Sequence, residues 1–403
     1  MTVPVSLPLG ARKLAFLLAA MVAIMPFSID VYLPAVPVMA QSLHADIHII
    51  EQTLSSFIFG VAIGQLLGGA ISDVKGRKHI ALLGLAIYLV AVVAILFIQS
   101  ASELLFWRWV QAIGGGMSTV TVGAVVRDFF SGREAAKMFT TIGIITMAAP
   151  LAAPMVGAAL THIGGWRAIF VFLTVYTVVV WLLVSRFMPT TRVTRKPLNW
   201  QLFGTVGRNF ATVFRQPEAL GFLFFQAFSF SSMFVFLTES PFVYMKLYGL
   251  DAHQYAWAFG ANILTMMAFN RITAFRLRTT DAKDILLSGI AVQLVCNTLL
   301  AVAVWAMPLP PFALVLLLLM CSVGTQGLVM SNTQACFMGY FSQAGGSANA
   351  VLGTMQFLIA AAVGWLTTQL HNGTAHIMPS MMLVSTLCGV VLLALCSHRA
   401  WRR

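Results

Sequence analysis

Runs of about twenty apolar residues recur along the whole chain, and no other feature limits its fold as strongly. A helix of that length crosses about 30 Å of hydrocarbon at 1.5 Å per residue. Twelve such segments are expected, over 14–36, 50–71, 80–99, 102–126, 138–161, 166–187, 219–241, 254–272, 285–306, 310–333, 347–369 and 376–397. They are long and continuous rather than short and alternating, which sets aside an outer-membrane barrel. Only 9% of the 403 residues are charged, against about 25% in soluble domains. A soluble enzyme and a disordered chain are excluded on the same ground. The expected class is an all-α membrane protein with twelve transmembrane helices. Its first helix stays uncleaved, because Asp30, Pro34 and Pro37 interrupt any signal-peptide pattern.

The formal net charge of +12 does not require nucleic acid. With cytoplasmic termini, twenty-one of the 24 Lys and Arg residues fall on the cytoplasmic side, as the positive-inside rule demands. Arg167 and Lys246 fall outside, and Arg108 lies within a span. The longest connection, 188–218, holds Pro189, Pro197 and Pro217 and divides the chain into halves at 1–187 and 219–403. Trp200 to Phe214 within it forms either an amphipathic surface helix or a solvated basic linker. Six spans plus six suggests an internal repeat; a shift of 209 positions lays Asp30 on Glu239, each followed by a proline, Pro34 and Pro241.

Charged groups inside spans are costly and mark function. Three stand out: Asp30, Arg108 and Glu239. Counted along their helices, Asp30 and Arg108 both lie about 10 Å from the outer face. Burial favours the neutral form of a carboxylic acid and a nearby guanidinium the charged form, so such a pair exchanges a proton as its access to water changes. The competing reading is a static ion pair locking two helices. Glu239, near a helix end, either binds a proton or reaches water.

No loop is large enough for a nucleotide-binding domain, and no phosphate-cradling glycine motif with its lysine appears. No His-Glu-x-x-His pattern or nucleophile–base pair lies in a span. Cys296, Cys321, Cys336, Cys388 and Cys396 lack metal-ligand spacing and read as free packing thiols. No cofactor, metal or enzymatic activity is expected. The chain has 21 Met and 30 Phe, side chains that repack around varied ligands. Candidate substrate contacts are Tyr32, Gln111, Gln226, Phe230, Met233, Tyr255, Asn262 and Gln356; Gln and Asn in a span serve equally as glue between helices.

Three motifs carry a resemblance. Gly69-Ala-Ile-Ser-Asp73-Val-Lys-Gly76-Arg77-Lys78 resembles motif A of the major facilitator superfamily, with Val74 where that motif has Arg. Arg108-Trp-Val-Gln111-Ala-Ile-Gly114 resembles motif B, with Ala112 for a glycine. Ala149-Pro150-Leu-Ala-Ala153-Pro154-Met-Val-Gly157-Ala158 is similar to motif C, which marks antiporters; Ala149, Ala153 and Ala158 stand at glycine positions. Further segments, Ser28-Ile-Asp30-Val-Tyr32-Leu-Pro34, Arg127-Asp128-Phe-Phe, Gly165-Trp166-Arg167 and Ser240-Pro241-Phe242, resemble the Bcr/CflA branch of drug:proton antiporters from about residue 10 to 395.

The resemblance implies a major facilitator fold in a bacterial inner membrane, two six-helix halves rocking about a central site. It implies efflux of small amphipathic drugs, of the chloramphenicol or bicyclomycin kind or lipophilic cations, in exchange for protons. Asp30 takes the place of the essential first-helix acid and Arg108 that of the coupling arginine. Glu239 stands where a small residue is expected. Gly69, Asp73, Gly76, Arg77 and Asp128 would form a cytoplasmic gate, with Asp73 capping the eleventh span; Pro150, Pro154 and Gly157 would form the antiporter motif. The implied partners are a drug, protons and the lipid bilayer, for a chain acting as a monomer. Two other readings remain at this point: export of an endogenous metabolite such as an amino acid or dipeptide, and a non-transporting membrane sensor or scaffold.

Overall fold

A computed structural model describes residues 10–130, 132–190, 201–307, 309–341 and 345–397, and among these there is no strand. The helices are α1 (Ala11–Asp30), α2 (Val36–Ser42), α3 (Ile47–Lys75), α4 (Arg77–Ile95), α5 (Ala101–Phe129), α6 (Gly132–Phe187) and α7 (Gln201–Phe214). They continue with α8 (Pro217–Ser240), α9 (Ala252–Arg276), α10 (Ala282–Ala306), α11 (Phe312–Gly324), α12 (Gln326–Met338), α13 (Gly345–Leu370) and α14 (Ile377–Cys396). Ten stretches of the described chain are long and apolar enough to cross a membrane.

Ten rather than twelve has a local cause. Two expected spans, 138–161 and 166–187, lie in the single long α6, whose axis breaks at Gly164 and at Gly165, where φ is +68°. A positive φ of this kind is open to glycine without strain. Arg167 fixes the corner by donating to the Leu96 and Ile98 carbonyls at the end of α4, at 3.1 and 3.0 Å. The other missing span is α9. At 25 residues it is long enough, but His253, Gln254, Asn262, Asn270 and Arg271 dilute its apolar content. In the linker, α7 is helical over Gln201–Phe214, and Phe210 packs on the Phe222–Phe225 core. Trp200 lies outside the described residues.

The chain divides into two compact units: residues 1–33 with 60–204, and residues 34–59 with 205–403. In the first, α1 packs on α6 and α5, and α4 packs on α5 and α6. Glycines set the closeness of this packing. A Cβ at Gly60, Gly64 or Gly68 would run into the α5 backbone at Trp109, Ile113 or Met117. Gly114 and Gly116 of α5 meet the α4 and α3 backbones in the same way. This stripe at four-residue spacing, not Gly69, is what lets α3 approach: a Cβ at Gly69 would meet only Val120, at an ordinary 3.7 Å.

In the second unit α8 is central, packed by α14, α13 and α12, while α9 and α10 flank α11 and α12. Its core joins Phe222, Phe225, Val329, Phe337, Val351 and Leu393. Large apolar side chains stay outward in both units; Phe97, Ile163, Trp257 and Trp305 are each more than 60% exposed. Such a surface suits lipid and not water. The five cysteines are free.

Candidate functional site

The site of the first unit begins with a helix end. Pro34 would clash with the Asp30 carbonyl four residues back, and α1 stops at Asp30. Its last carbonyls are left without helical partners. The Ser28 carbonyl accepts from Arg108 Nη2 at 2.9 Å. Arg108 Nη1 donates to Gln111 Oε1 at 3.0 Å, and the guanidinium carbon lies 4.5 Å from the Tyr32 ring centre. A cation at a helix C-terminus also meets the negative end of the helix dipole. Arg108 is fully buried and Asp30 is 5% exposed. The described ion pairs do not join them; Arg108 is held two residues short of Asp30. Ser28 Oγ and Tyr88 share a hydrogen bond beneath. The structure thus brings together Tyr32, Arg108 and Gln111, with buried Asp30 two residues along α1 from the Ser28 carbonyl that Arg108 holds.

The loop after α3 is the second cluster. Gly76, at φ +95°, turns the chain directly into α4. Arg77 pairs with Asp73, donates from Nη1 to Ser72 Oγ at 2.7 Å, and reaches Asp128 Oδ2 from Nε at 3.2 Å. In α6, Pro150 and Pro154 lie inside the helix, with Ala149, Ala153, Pro154 and Gly157 buried.

The second unit separates its candidates. Gln226 donates to Gln356 Oε1 at 2.8 Å, and Phe230 meets Phe357 edge to face. Met233 is half-buried nearby on α8. Tyr255 and Asn262 belong to another neighbourhood: Tyr255 bonds Ser240 Oγ at 2.9 Å and stacks on Phe259, and Asn262 donates to its own helix at Ala258.

Two polar groups escaped the sequence. One is a network along α8. Gln326 donates to Ser229, Ser229 donates to Gln293, and Asn297 links Ser232, Ser322 and Thr386. Single Gln and Asn residues within apolar runs were the available signal. The other group surrounds Glu239. That residue does not reach water: it is 1% exposed and bonds His371 Nδ1 through Oε2 at 2.9 Å. Glu51, fully buried, accepts from His48 Nδ1 at 2.8 Å and from the Phe242 amide at 3.2 Å. The His48 and His371 rings stack at 3.3 Å. The list of buried acidic groups must therefore include Glu51.

A family model described as Major Facilitator Superfamily matches residues 16–364. A bicyclomycin resistance protein homolog of Haemophilus influenzae is 30% identical over 358 residues, covering 87% of each chain. The multidrug resistance protein MdtL of Klebsiella pneumoniae is 26% identical over 374 residues, 93% of each. Among solved structures, a D-xylose–proton symporter superposes with a TM-score of 0.73 at 14% identity, over 94% of this chain and 97% of that one. This last likeness concerns the fold alone.

Proposed function

Because the chain belongs to the major facilitator superfamily, a family of transporters and not of enzymes, we propose that it is a proton-coupled drug antiporter of a bacterial inner membrane. Its twelve helices would form two six-helix halves, 1–187 and 219–403, with both termini and the 188–218 linker in the cytoplasm. A drug leaves and at least one proton enters in each cycle. The drug class rests on the relatives' names, which concern bicyclomycin and multidrug resistance.

One observation carries the coupling: a fully buried, permanently charged Arg108 held on the last turn of α1, two residues from buried Asp30. Arg cannot give up its proton in a protein, so the exchangeable proton belongs to the acid. A fixed positive charge nearby favours the carboxylate, and desolvation favours the acid. A cationic or polar drug and a proton then compete for one position. Tyr32 and Gln111, which hold Arg108, are the drug contacts proposed for the first unit, and Gln226, Phe230, Met233 and Gln356, amides and adaptable apolar side chains, are those proposed for the second. Tyr255 and Asn262 have partners of their own and only support that second group. The Arg77, Asp73 and Asp128 cluster, with Gly69 and Gly76, acts as the cytoplasmic gate, and Pro150, Pro154 and Gly157 bend the antiporter helix.

The test is reconstitution in proteoliposomes with an imposed pH gradient. Chloramphenicol or a lipophilic cation collapses the gradient through the wild type, and Asp30→Asn abolishes the response. Well-folded wild-type protein silent to both drugs would sink the drug assignment, and coupling that persists in Asp30→Asn would sink Asp30.

A further inference from the structure

The second unit contains a group of ligand-type side chains that transport by the Asp30–Arg108 site does not use. His48, at the start of α3, Glu239, near the end of α8, and His371, just past the end of α13, each offer a ligand atom, all within 4.8 Å of one another. We propose that these three residues bind a divalent transition-metal ion of the zinc type, with Glu51 as the group that orients His48.

The ligand set is the first argument. Two imidazoles and one carboxylate around an open fourth position is a recurrent zinc arrangement. Imidazole nitrogens favour zinc, copper, nickel and cobalt over calcium and magnesium, which prefer oxygen alone. A tetrahedral zinc about 2.0–2.1 Å from each ligand holds them roughly 3.3 Å apart. The present ligand atoms lie within 4.8 Å of one another, so the side chains would draw together around an ion.

Unsatisfied valence is the second argument. Glu239 Oε1 and His371 Nε2 are buried and have no hydrogen-bond partner, although the His371 and Glu239 side chains are only 2% and 1% exposed. Buried polar atoms are almost always paired, and a metal ion supplies the missing partner. It also offsets the charge of two carboxylates, Glu51 and Glu239, placed out of water.

The surroundings are the third. Glu51 accepts from His48 Nδ1 at 2.8 Å and is itself fixed by the Phe242 amide at 3.2 Å. That leaves His48 Nε2 free to face the metal, in the carboxylate–histidine–metal relay that holds ligands in many sites. That same Nε2 lies 3.8 Å from Asp46 Oδ1, whose side chain is 64% exposed, so the open edge of the cluster faces Asp46. Asp46 thus provides an acidic entry from water. A bound ion would tie together the start of α3, the end of α8 and the end of α13.

The test is metal binding to the full-length detergent-purified protein after chelator treatment, and it does not depend on transport. Zn²⁺ titration by calorimetry is expected to show one ion per chain, and Co²⁺ to give the visible absorption of a four-coordinate site. His371→Gln and Glu239→Gln are each expected to weaken Zn²⁺ binding by about 100-fold and to remove the Co²⁺ spectrum. Glu51→Gln should weaken it by about 10–100-fold, the usual cost of losing an orienting partner. His253→Ala, on the exposed side of α9, leaves both unchanged. If His371→Gln does not fold, His48→Gln, at the more accessible edge of the cluster, takes its place. A wild type that binds no stoichiometric Zn²⁺, or Zn²⁺ binding indifferent to His48→Gln and His371→Gln, would overturn the proposal.

Discussion

The two compact units bury polar chemistry in different ways. The first holds one permanent charge, Arg108, and satisfies it with a backbone carbonyl, one amide oxygen and an aromatic face. Its helices approach through glycines, and its buried side-chain bonds cluster around that charge, as in Arg108 with Gln111 and Ser28 with Tyr88. The second joins side chain to side chain: Gln226 with Gln356, Ser229 with Gln293 and Gln326, Asn297 with three hydroxyls, and His371 with Glu239. A charge held by backbone is fixed in place by the fold. A charge held by other titratable groups changes with whatever ion is bound. The first arrangement suits a charge that stays constant, and the second suits polar groups that rearrange together.

The largest expected effect removes the constant charge. Arg108→Ala loses two charge-assisted hydrogen bonds, each worth about 1.5–3 kcal/mol, so drug-driven proton flux falls by roughly 100-fold or more. Arg108→Lys does not restore it, since an ammonium cannot hold the Ser28 carbonyl and Gln111 in the same planar fork. Equal flux in wild type and Arg108→Lys would erase the distinction between the units.

A second variant pair sharpens the comparison from the other side. Gln356→Leu leaves the Gln226 amide without its acceptor, at a cost of about 1–3 kcal/mol, read as a lower midpoint in thermal unfolding of the purified protein. Gln226→Leu with Gln356→Leu recovers part of that loss, because removing both partners leaves nothing unsatisfied. Additive losses would show that the amides are not a pair.

The glycines separate packing from function within the first unit. Gly64→Ala drives a methyl group into the Ile113 backbone, and overpacking of this kind costs about 1–3 kcal/mol. Gly69→Ala meets only Val120 and changes unfolding by less than about 0.5 kcal/mol. Equal destabilisation of the two would contradict the assigned close approach.

The smallest effect belongs to the exposed cluster. Asp128→Asn removes one partner of Arg77 on a surface where ion pairs are worth about 0–1 kcal/mol. Unfolding hardly changes, and any effect appears in the transport rate. A stability loss as large as that of Gly64→Ala would make this a structural lock.

The fold class was legible because a span announces itself: α1, α4, α8, α10 and α14 each appear as one long apolar run. The expected segment 254–272 falls within α9, although polar residues dilute its apolar content, and the expected gap between 161 and 166 holds the break in α6 at Gly164 and Gly165. Arg108 and Asp30 stood out because a charge in an apolar run has no local explanation. Glu51, His48 and His371 did not, because each lies at a helix end where water is the ordinary partner. Their meeting depends on segments more than a hundred residues apart. The glycines at 60, 64 and 68 show their spacing in the sequence but not that α5 is their partner.

Drug binding and proton release, followed on one lightly buffered sample of the purified protein, test the central claim most directly. If Asp30 exchanges a proton for drug beside a fixed Arg108, protons appear in proportion to drug bound, and Asp30→Asn releases none. Drug binding without proton release in the wild type, or undiminished release from Asp30→Asn, would contradict it.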